Sequence, residues 1–483
     1  MFKLFAKKEK DDVKDFDALA KLIKDSPKAL QAFEDEYWKS LGASGSSNFY
    51  DITVKELSEE VRTASIGEYD EGYLAGIISR IVDELAGITS GFIIKDGRLE
   101  ELCFPQPSAP PVIMEELEVI PEGLRPMLTG RLCMRDLSGE SCRAVLDMLM
   151  RSQKETDPVK KRQFYGRFRQ GLEILDLDPV LYEILGRNRN NMGYWLPAIA
   201  EAAGKEGFFK IPDTVLVQVP LPILQLTRLE YTSLNLTTLK IVDEWAMKVF
   251  GLDIRKEYFI KTGVFSSKYD FRNARVAGEK EVRELGEYLL FIQHQATMYA
   301  GYFNMDKHGR SLSIYGAATT NQFAVRDFIQ DREENPAIYN GLPLHTEYRV
   351  FVQFGQEGRI LGISPYWRPD IMKGRFSKMK NGKEKHDYIM YLAHEETLMA
   401  RYEENKDKVL FHLERLLEDV KLEGQWSVDV MQNGDDFYII DMAAADASAL
   451  NDCVPKELLK KSPENWISNE ALFAICAKEE KGN

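Results

Sequence analysis

The segment that most constrains the fold is WSVDVMQNGDDFYIID, at positions 426–441, because it predicts a β-hairpin with one aspartate in each arm. Side chains alternate between the two faces of a strand, so the turn decides whether Asp429 and Asp441 share a face. A loop of three or five residues places them opposite each other, whereas a two-residue Asn433-Gly434 turn places them on opposite faces. In the first register the core-facing residues are Val428, Val430, Ile440 and Met442.

Two interpretations of this aspartate pair are open. Carboxylates directly opposite each other repel unless a cation or a proton lies between them. In the simpler interpretation, Asp429 and Asp441 are solvated on an exposed strand face. In the other, they bind a divalent cation, which the charged residues upstream favour.

The composition narrows the class of protein. Hydrophobic residues make up 44% of the chain, charged residues 29%, and the formal net charge is −14, which disfavours a general nucleic-acid-binding surface. The five cysteines are scattered without a CxxC pair, which disfavours a disulfide framework or a CxxC zinc site and indicates a reducing compartment. No apolar run approaches a membrane span, so the cytoplasm is the expected location.

Local patterns predict four segments. Apolar residues at helical spacing predict helices in the first, which ends in a small hairpin around Asp96-Gly97. A proline-rich linker and a charged helical stretch follow, and then strands alternate with helices. The segments are 1–104, 105–190, 191–455 and 456–483, with a C-terminal lobe of the third beginning at 331. The predicted class is α+β.

A lysine near the end of a strand opens the first candidate site. Lys261 follows the strand EYFI and precedes a loop that contains Ser266, Ser267 and Lys268. A lysine followed by small and hydroxyl residues suits phosphate oxygens, because it offers positive charge together with N–H and O–H donors. The alternative is an exposed lysine before a turn.

Two further strands carry charged residues within apolar sequence. FAVRDFI, at 323–329, contains Arg326 and Asp327. This pattern predicts either an edge strand or a strand that borders a nucleotide. In TEYRVFVQFG, Glu347 and Arg349 are two residues apart and therefore share a face. That pair is either a cross-strand ion pair or a clamp beside a triphosphate.

Taken in this order, the strand-end lysine, the apolar linking strand, the Glu-x-Arg strand and the aspartate hairpin resemble the ATP-grasp superfamily over about residues 192–452. Members of that superfamily hold ATP and magnesium between two α+β lobes. EYRVFVQFGQEGRILGISPYW and WSVDVMQNGDDFYIIDM are similar to strands of the eukaryotic ATP-grasp chaperones that help to assemble a translation initiation factor. The overall layout is similar to compact bacterial and phage proteins that are predicted to be ligases.

The resemblance implies ATP and Mg²⁺ as cofactors and assigns roles to individual residues. Lys261 matches the nucleotide-binding lysine, and Lys268 and Arg272 align near additional phosphate contacts. Glu347 and Arg349 match the Glu-x-Arg pair of the site. The strand beside adenine is matched by Arg326, Asp327, Phe328 and Ile329, with Asp327 placed for the ribose. The magnesium ligands are matched by Asp429 and Asp441.

One position departs from the family pattern. The superfamily hairpin usually ends with an asparagine that completes a second magnesium site, and here that position is Ala443. Asp446 replaces it only if the chain curls back. Two carboxylates still suffice for one Mg²⁺, which takes water and phosphate oxygens as its other ligands.

Three functions remain open on this basis, and the resemblance favours the first of them over the second. The first is an ATP-dependent ligase that activates a carboxylate as an acylphosphate for attack by an amine or similar nucleophile, with Arg349 and Glu347 at the reacting phosphate. The second is an ATP-binding assembly factor for a partner protein, and the third is an inactive scaffold. The helical region at 1–190 is expected to bind a peptide or protein acceptor, or another copy of the chain.

Overall fold

The structure is a computed structural model that describes six stretches of the chain and isolated residues between them. The stretches are 71–110, 188–226, 236–303, 320–356, 358–376 and 382–462, and the isolated residues are Val112 and positions between 148 and 186. The helices predicted before residue 71 and most of the charged helical stretch lie outside these residues. The proposed self-association through the N-terminal region lies outside them too.

The described residues form two main sheets. Their strands are β1 (Ser90–Lys95), β2 (Arg98–Leu102), β3 (Phe209–Lys210), β4 (Thr214–Gln218), β5 (Tyr258–Thr262), β6 (Arg275–Val276), β7 (Gln322–Asp327), β8 (Ala337–Ile338), β9 (Leu342–Pro343), β10 (Glu347–Phe354), β11 (Arg359–Pro365), β12 (Gly424–Asn433) and β13 (Asp436–Ala444). The first sheet has the order β2-β1-β4-β7-β5-β6, and the second has the order β11-β10-β12-β13-β3. A small third sheet pairs β8 with β9.

Helices cover these sheets. Those with described bounds are α1 (Glu71–Gly87), α2 (Met192–Glu206), α3 (Leu221–Leu226), α4 (Leu236–Phe250), α5 (Glu279–Arg283), α6 (Leu285–Phe303), α7 (Pro369–Phe376) and α8 (Gly382–Leu417). None of the helices in the described part of the chain is long and apolar enough to cross a membrane.

Each sheet contributes to its own core. Apolar residues of α1, α4 and α6 pack on one face of the first sheet, around the fully buried Trp245. On the second sheet, Tyr348 and Val350 of β10 and Val428 and Val430 of β12 pack against α2 and α8. The alternation of apolar and charged residues in β10 and β12 leaves their charged residues on the opposite face.

Each main sheet and the helices packed on it form one lobe. The predicted α+β class is confirmed, because both lobes combine helices with a largely antiparallel sheet. The small N-terminal hairpin also forms where the sequence predicts it, with a turn at Asp96 and Gly97. The hairpin lies before the boundary predicted at 104/105, but it is not separate from the third segment. β1 pairs with β4, so the hairpin is part of the first sheet together with strands of the third segment. Local patterning cannot reveal this pairing, since it joins residues more than 100 positions apart.

The aspartate hairpin has the predicted cross-strand pair but a different turn. Asn433 pairs with Asp436, so the loop contains two residues, Gly434 and Asp435, and not three or five. A β-bulge between Asp429 and Val430 shifts the register and restores the pairing of Asp429 with Asp441.

The same bulge changes which residue faces the core. Ile439, paired with Val430, is fully buried, whereas Ile440 is only half-buried. The prediction that Ile440 packs in the core is therefore wrong.

Candidate functional site

The two aspartates of the hairpin lie directly opposite each other, and each is paired with a basic residue. Nε and Nη2 of Arg349 donate hydrogen bonds of 2.7 and 2.6 Å to the two carboxylate oxygens of Asp429. Nζ of Lys261 donates to Oδ1 of Asp441 at 3.0 Å. Asp429 is buried, so the interpretation of an open, solvated face does not describe it. The Lys261–Asp441 pair joins the first sheet to the second.

Lys261 is a buried cation. It lies in β5 and is only 2% exposed, unlike a lysine in front of an exposed turn. Burial lowers the pKa of Lys261, and Asp441 opposes that change. Burial likewise opposes ionisation of Asp441, but Lys261, Arg326 and Lys268 outweigh it and lower the pKa of Asp441. Each partner of the pair thus opposes the loss of charge that burial favours in the other.

Tyr366 connects cations from both lobes. The guanidinium of Arg349 lies 4.7 Å from the centre of its ring, and Nζ of Lys268 lies 4.2 Å from the same centre. Both distances are within the range of cation–π attraction. Sequence reasoning missed this residue; the only signal for it is its place directly after β11, the strand beside the Glu-x-Arg strand.

Glu347 is a second buried carboxyl group near the site, beside Asp429. It faces the same side of β10 as Arg349 and is 9% exposed. Burial raises the pKa of Glu347 to about 7, although Lys268 and Arg349 act in the opposite direction. The side chain is therefore partly protonated at neutral pH, which would allow it to give or take a proton at a bound ligand.

Arg326 carries unsatisfied donors at the contact between the lobes. Its Nη1 donates to the carbonyl oxygen of Ile440 at 2.6 Å. Nε and Nη2 are buried and have no acceptor among the described residues. Burial lowers the pKa of Arg326 to about 10, against the effect of Asp441. Buried N–H groups without acceptors are costly, and a water molecule or an anionic group beside them would remove that cost.

Some side chains of the loop after β5 already bond to other groups of the protein. Ser267 has a left-handed backbone (φ 48°), and its hydroxyl donates to Oε1 of Gln295 at 2.6 Å. Ser266 is half-buried. Arg272 pairs with Asp270 at 3.1 Å. Of the basic residues predicted in and after this loop, only Lys268 lies close to Tyr366 and the carboxylates.

The linking strand leads into a cavity. Asp327, Phe328 and Ile329 line a space of about 720 Å³ together with Lys210 and Tyr438 of the second sheet. The Asp327 carboxylate accepts a hydrogen bond of 2.6 Å from Lys256, another residue that sequence reasoning missed. Lys261, Arg326, Arg349 and the two aspartates of the hairpin do not line this cavity. The structure thus places the predicted residues in two groups. One group lies at the cavity. The other, which we call the charged contact, consists of Lys261, Arg326, Arg349, Asp429 and Asp441.

Asp446 does not stand in for the missing asparagine at Ala443. It lies in a short 3₁₀ helix, Ala445–Ala447, and its two carboxylate oxygens accept hydrogen bonds from the hydroxyl and the backbone N–H of Ser462. The carboxylates available at the hairpin are therefore Asp429 and Asp441.

The residue types at the charged contact fit Mg²⁺ and phosphate. Opposed carboxylates supply the oxygen ligands that Mg²⁺ prefers. Lys261, Arg349 and the unpaired N–H groups of Arg326 supply donors for phosphate oxygens. In the structure Lys261 and Arg349 form ion pairs with the two aspartates. A bound metal ion and phosphate would therefore replace these ion pairs.

No family model matches this chain, and no curated protein matches it. Among solved structures it is similar to Cdc123 from Schizosaccharomyces pombe, with 12% identity over 58% of this chain and 96% of that chain and a TM-score of 0.33. It is also similar to the C-terminally truncated Cdc123 from Schizosaccharomyces pombe, with 11% identity over 58% of this chain and 93% of that chain and a TM-score of 0.33. Scores at this level assign neither a family nor a function.

Proposed function

We propose that this protein binds ATP together with Mg²⁺ between its two lobes, as an ATP-grasp-type protein. The observation that carries the proposal is the meeting of Lys261 and Arg326 from the first sheet with Asp441 and the Ile440 carbonyl from the second. A buried lysine and a buried arginine with two unpaired N–H groups form a receptor for an anion. The facing aspartates supply carboxylate ligands for the metal ion that accompanies a triphosphate.

The phosphates and the ion occupy the charged contact in this proposal. Lys261, Arg326 and Arg349 bind phosphate oxygens, with Lys268 beside them and Ser266 and Ser267 in the adjoining loop. Asp429 and Asp441 bind Mg²⁺. Neutralising the phosphate charge in a site of low water content is the main contribution that such a protein makes to phosphoryl chemistry.

The base and ribose lie toward the cavity. Asp327, Phe328 and Ile329 line it, and Tyr438 lines it from β13. Tyr438 and Asp441 are three residues apart on one strand, which corresponds to about 10 Å. That separation lets one extended ligand reach from the cavity to the charged contact.

Of the two active classes, an ATP-dependent assembly factor or partner-binding protein fits the site better than a ligase. With Ala443 in the hairpin and Asp446 bonded to Ser462, the site has two carboxylates for metal. This set supports one ion, and phosphoryl transfer often uses a second. The partner, a peptide or protein, is expected to contact the N-terminal region.

Direct measurement of ATP affinity tests the site. Lys261→Ala and Asp441→Asn are each expected to weaken Mg-dependent ATP binding by at least tenfold, because each removes a charge that faces the phosphates or the ion. Lys248→Ala and Asp83→Asn are matched controls, since they break an ion pair between α4 and α1 away from the site. Unchanged affinity in both site variants, with the fold intact by circular dichroism, would refute the assignment.

The ligase remains a second candidate because Glu347, with a pKa of about 7, can donate or accept a proton beside Arg349. Incubation with ATP, Mg²⁺ and panels of carboxylates and amines separates the two classes. Sustained ADP release that requires one particular pair establishes a ligase. ATP binding without such turnover supports the assembly factor.

A further inference from the structure

Three metal-ligating side chains converge in the segment that connects β7 with β10, apart from Lys261, Asp429 and Asp441. They are Asp331, Glu333 and His345, and one ligand atom of each lies within 4.8 Å of the other two. His345 is buried, while both carboxylates are half-buried. No other group of this kind occurs among the residues that the structure describes.

One side-chain amide is shared among the three ligand atoms. The Asp331 carboxylate also accepts hydrogen bonds of 3.1 and 2.6 Å from the backbone N–H groups of Glu333 and Asn335. Nδ2 of Asn335 lies 3.0 Å from Oδ1 of Asp331, 3.3 Å from Nδ1 of His345 and 3.4 Å from Oε2 of Glu333. An amide group has two hydrogens, so it cannot satisfy three acceptors at once. The two longer distances are those of weak hydrogen bonds.

The charge of the cluster is also incompletely balanced. Nη1 of Arg401 lies 3.3 Å from Oε2 of Glu333 and donates to Oδ1 of Asn335 at 3.0 Å. Arg401 thus contacts one of the two carboxylates, that of Glu333. An imidazole nitrogen such as Nδ1 of His345 is a common metal ligand.

A second histidine lies near the cluster. Nε2 of His394, on α8, is buried and has no partner among the described residues. Its ring lies within electrostatic reach of Asp331 and His345. This unpartnered nitrogen is a second observation, separate from the three converging side chains, that points to a ligand in the region.

We propose that Asp331, Glu333 and His345 bind a first-row divalent transition-metal ion of the Zn²⁺ type, with His394 as a further ligand or as a partner of a bound water. Mixed imidazole and carboxylate ligands suit such an ion better than they suit Mg²⁺. The ion displaces the Asn335 amide, and Arg401 remains paired with Glu333.

The position of this site gives it a structural role. Asp331 lies between Gln330 and Arg332, both of which line the 720 Å³ cavity. His345 and α8 belong to the second lobe, so the ion fastens the connecting segment to that lobe. The site is separate from Asp429 and Asp441 and does not depend on the proposed ATP function.

Titration of the metal-stripped full-length protein with Co²⁺, without nucleotide, tests this proposal. Co²⁺ substitutes for Zn²⁺ and gives a visible absorption that reports nitrogen and oxygen ligation. One saturable site is expected in the wild type and in Asp441→Asn, and at least a tenfold loss of affinity in His345→Gln and Glu333→Gln. His412→Gln is the matched control, because it removes a histidine–carboxylate contact with Glu206 elsewhere. Asn335→Ala is expected to bind Co²⁺ more tightly, since the competing amide is gone.

Two results would overturn the proposal. One is the absence of saturable Co²⁺ or Zn²⁺ binding by folded wild-type protein. The other is binding that is unchanged in Glu333→Gln and His345→Gln but lost in Asp441→Asn, which would assign the ion to the hairpin. If His345→Gln does not fold, Glu333→Gln alone decides the outcome.

Discussion

At the scale of single residues, the candidate site consists of charges that neutralise one another. Lys261 pairs with Asp441, and Arg349 pairs with Asp429. The resemblance to the ATP-grasp superfamily assigned all four to the site, while the strand patterns alone left each with a second interpretation. It could not predict which cation meets which carboxylate, since those partners lie on strands brought together only by the fold.

Glu347 gives a prediction about pH. Its folded-state pKa of about 7 lies above the ordinary value of 4.5, so the folded protein holds a proton that the unfolded chain releases between those pH values. The free energy of unfolding must therefore fall as pH rises through this window, by about 3 kcal/mol from this group. Glu347→Gln removes the contribution, so urea unfolding at pH 4.5 and pH 8 should show a smaller loss in the variant than in the wild type.

A suitable control is Glu279→Gln, at an exposed helical position paired with Arg283. It should keep the pH dependence of the wild type. A difference in stability between wild type and Glu347→Gln that stays constant from pH 4.5 to pH 8 would contradict the burial-induced shift.

At the scale of elements, the aspartate hairpin marks the limit of what the sequence reveals. Alternation predicted both strands, and it predicted the pairing of Asp429 with Asp441 for a loop of three or five residues. The structure has this pairing with a two-residue loop, because a β-bulge restores the register that such a loop alone would break. A bulge adds one residue to one strand and has no fixed sequence signature, so periodicity cannot locate it.

The N-terminal hairpin supplies a test of the first sheet. A Cβ on Gly91 would lie 2.1 Å from the carbonyl oxygen of Leu216, where β1 pairs with β4. Gly91→Ala should therefore force the strands apart and lower the free energy of unfolding by about 1–3 kcal/mol. Chemical denaturation of the full-length protein measures this.

Gly76→Ala is the control, because its Cβ meets nothing within 4 Å and alanine favours the helix. Its stability should equal or exceed that of the wild type. If Gly91→Ala is as stable as Gly76→Ala, the hairpin does not belong to the sheet in solution.

At the scale of the whole molecule, the two lobes meet through contacts that also form the proposed nucleotide site. Alternating strand and helix signals predicted the α+β class over the third segment, and the structure confirms it. The membership of β1 and β2 in the first sheet and the parallel pairing of β3 with β13 escaped prediction. Both are pairings between distant residues, and the energy that selects them comes from packing rather than from local propensity.

The paired charges also predict how ligands bind. ATP alone would have to separate Lys261 and Arg349 from their carboxylates and leave those carboxylates uncompensated, and Mg²⁺ alone would leave the cations uncompensated. Only the two ligands together replace every ion pair that they break. Binding of ATP and Mg²⁺ is therefore expected to be strongly synergistic.

The proposed nucleotide site is tested by the thermal unfolding midpoint of the full-length protein, measured during an ATP titration with Mg²⁺ and again with a chelator. A ligand that binds only the folded state stabilises it by about 2.7 kcal/mol at a hundredfold excess over its dissociation constant. We expect a rise in the midpoint that requires Mg²⁺ and is absent in Asp441→Asn. No rise in the folded wild type, or an equal rise in Asp441→Asn, would mean that the paired charges between the lobes are structural and that the nucleotide site does not exist there.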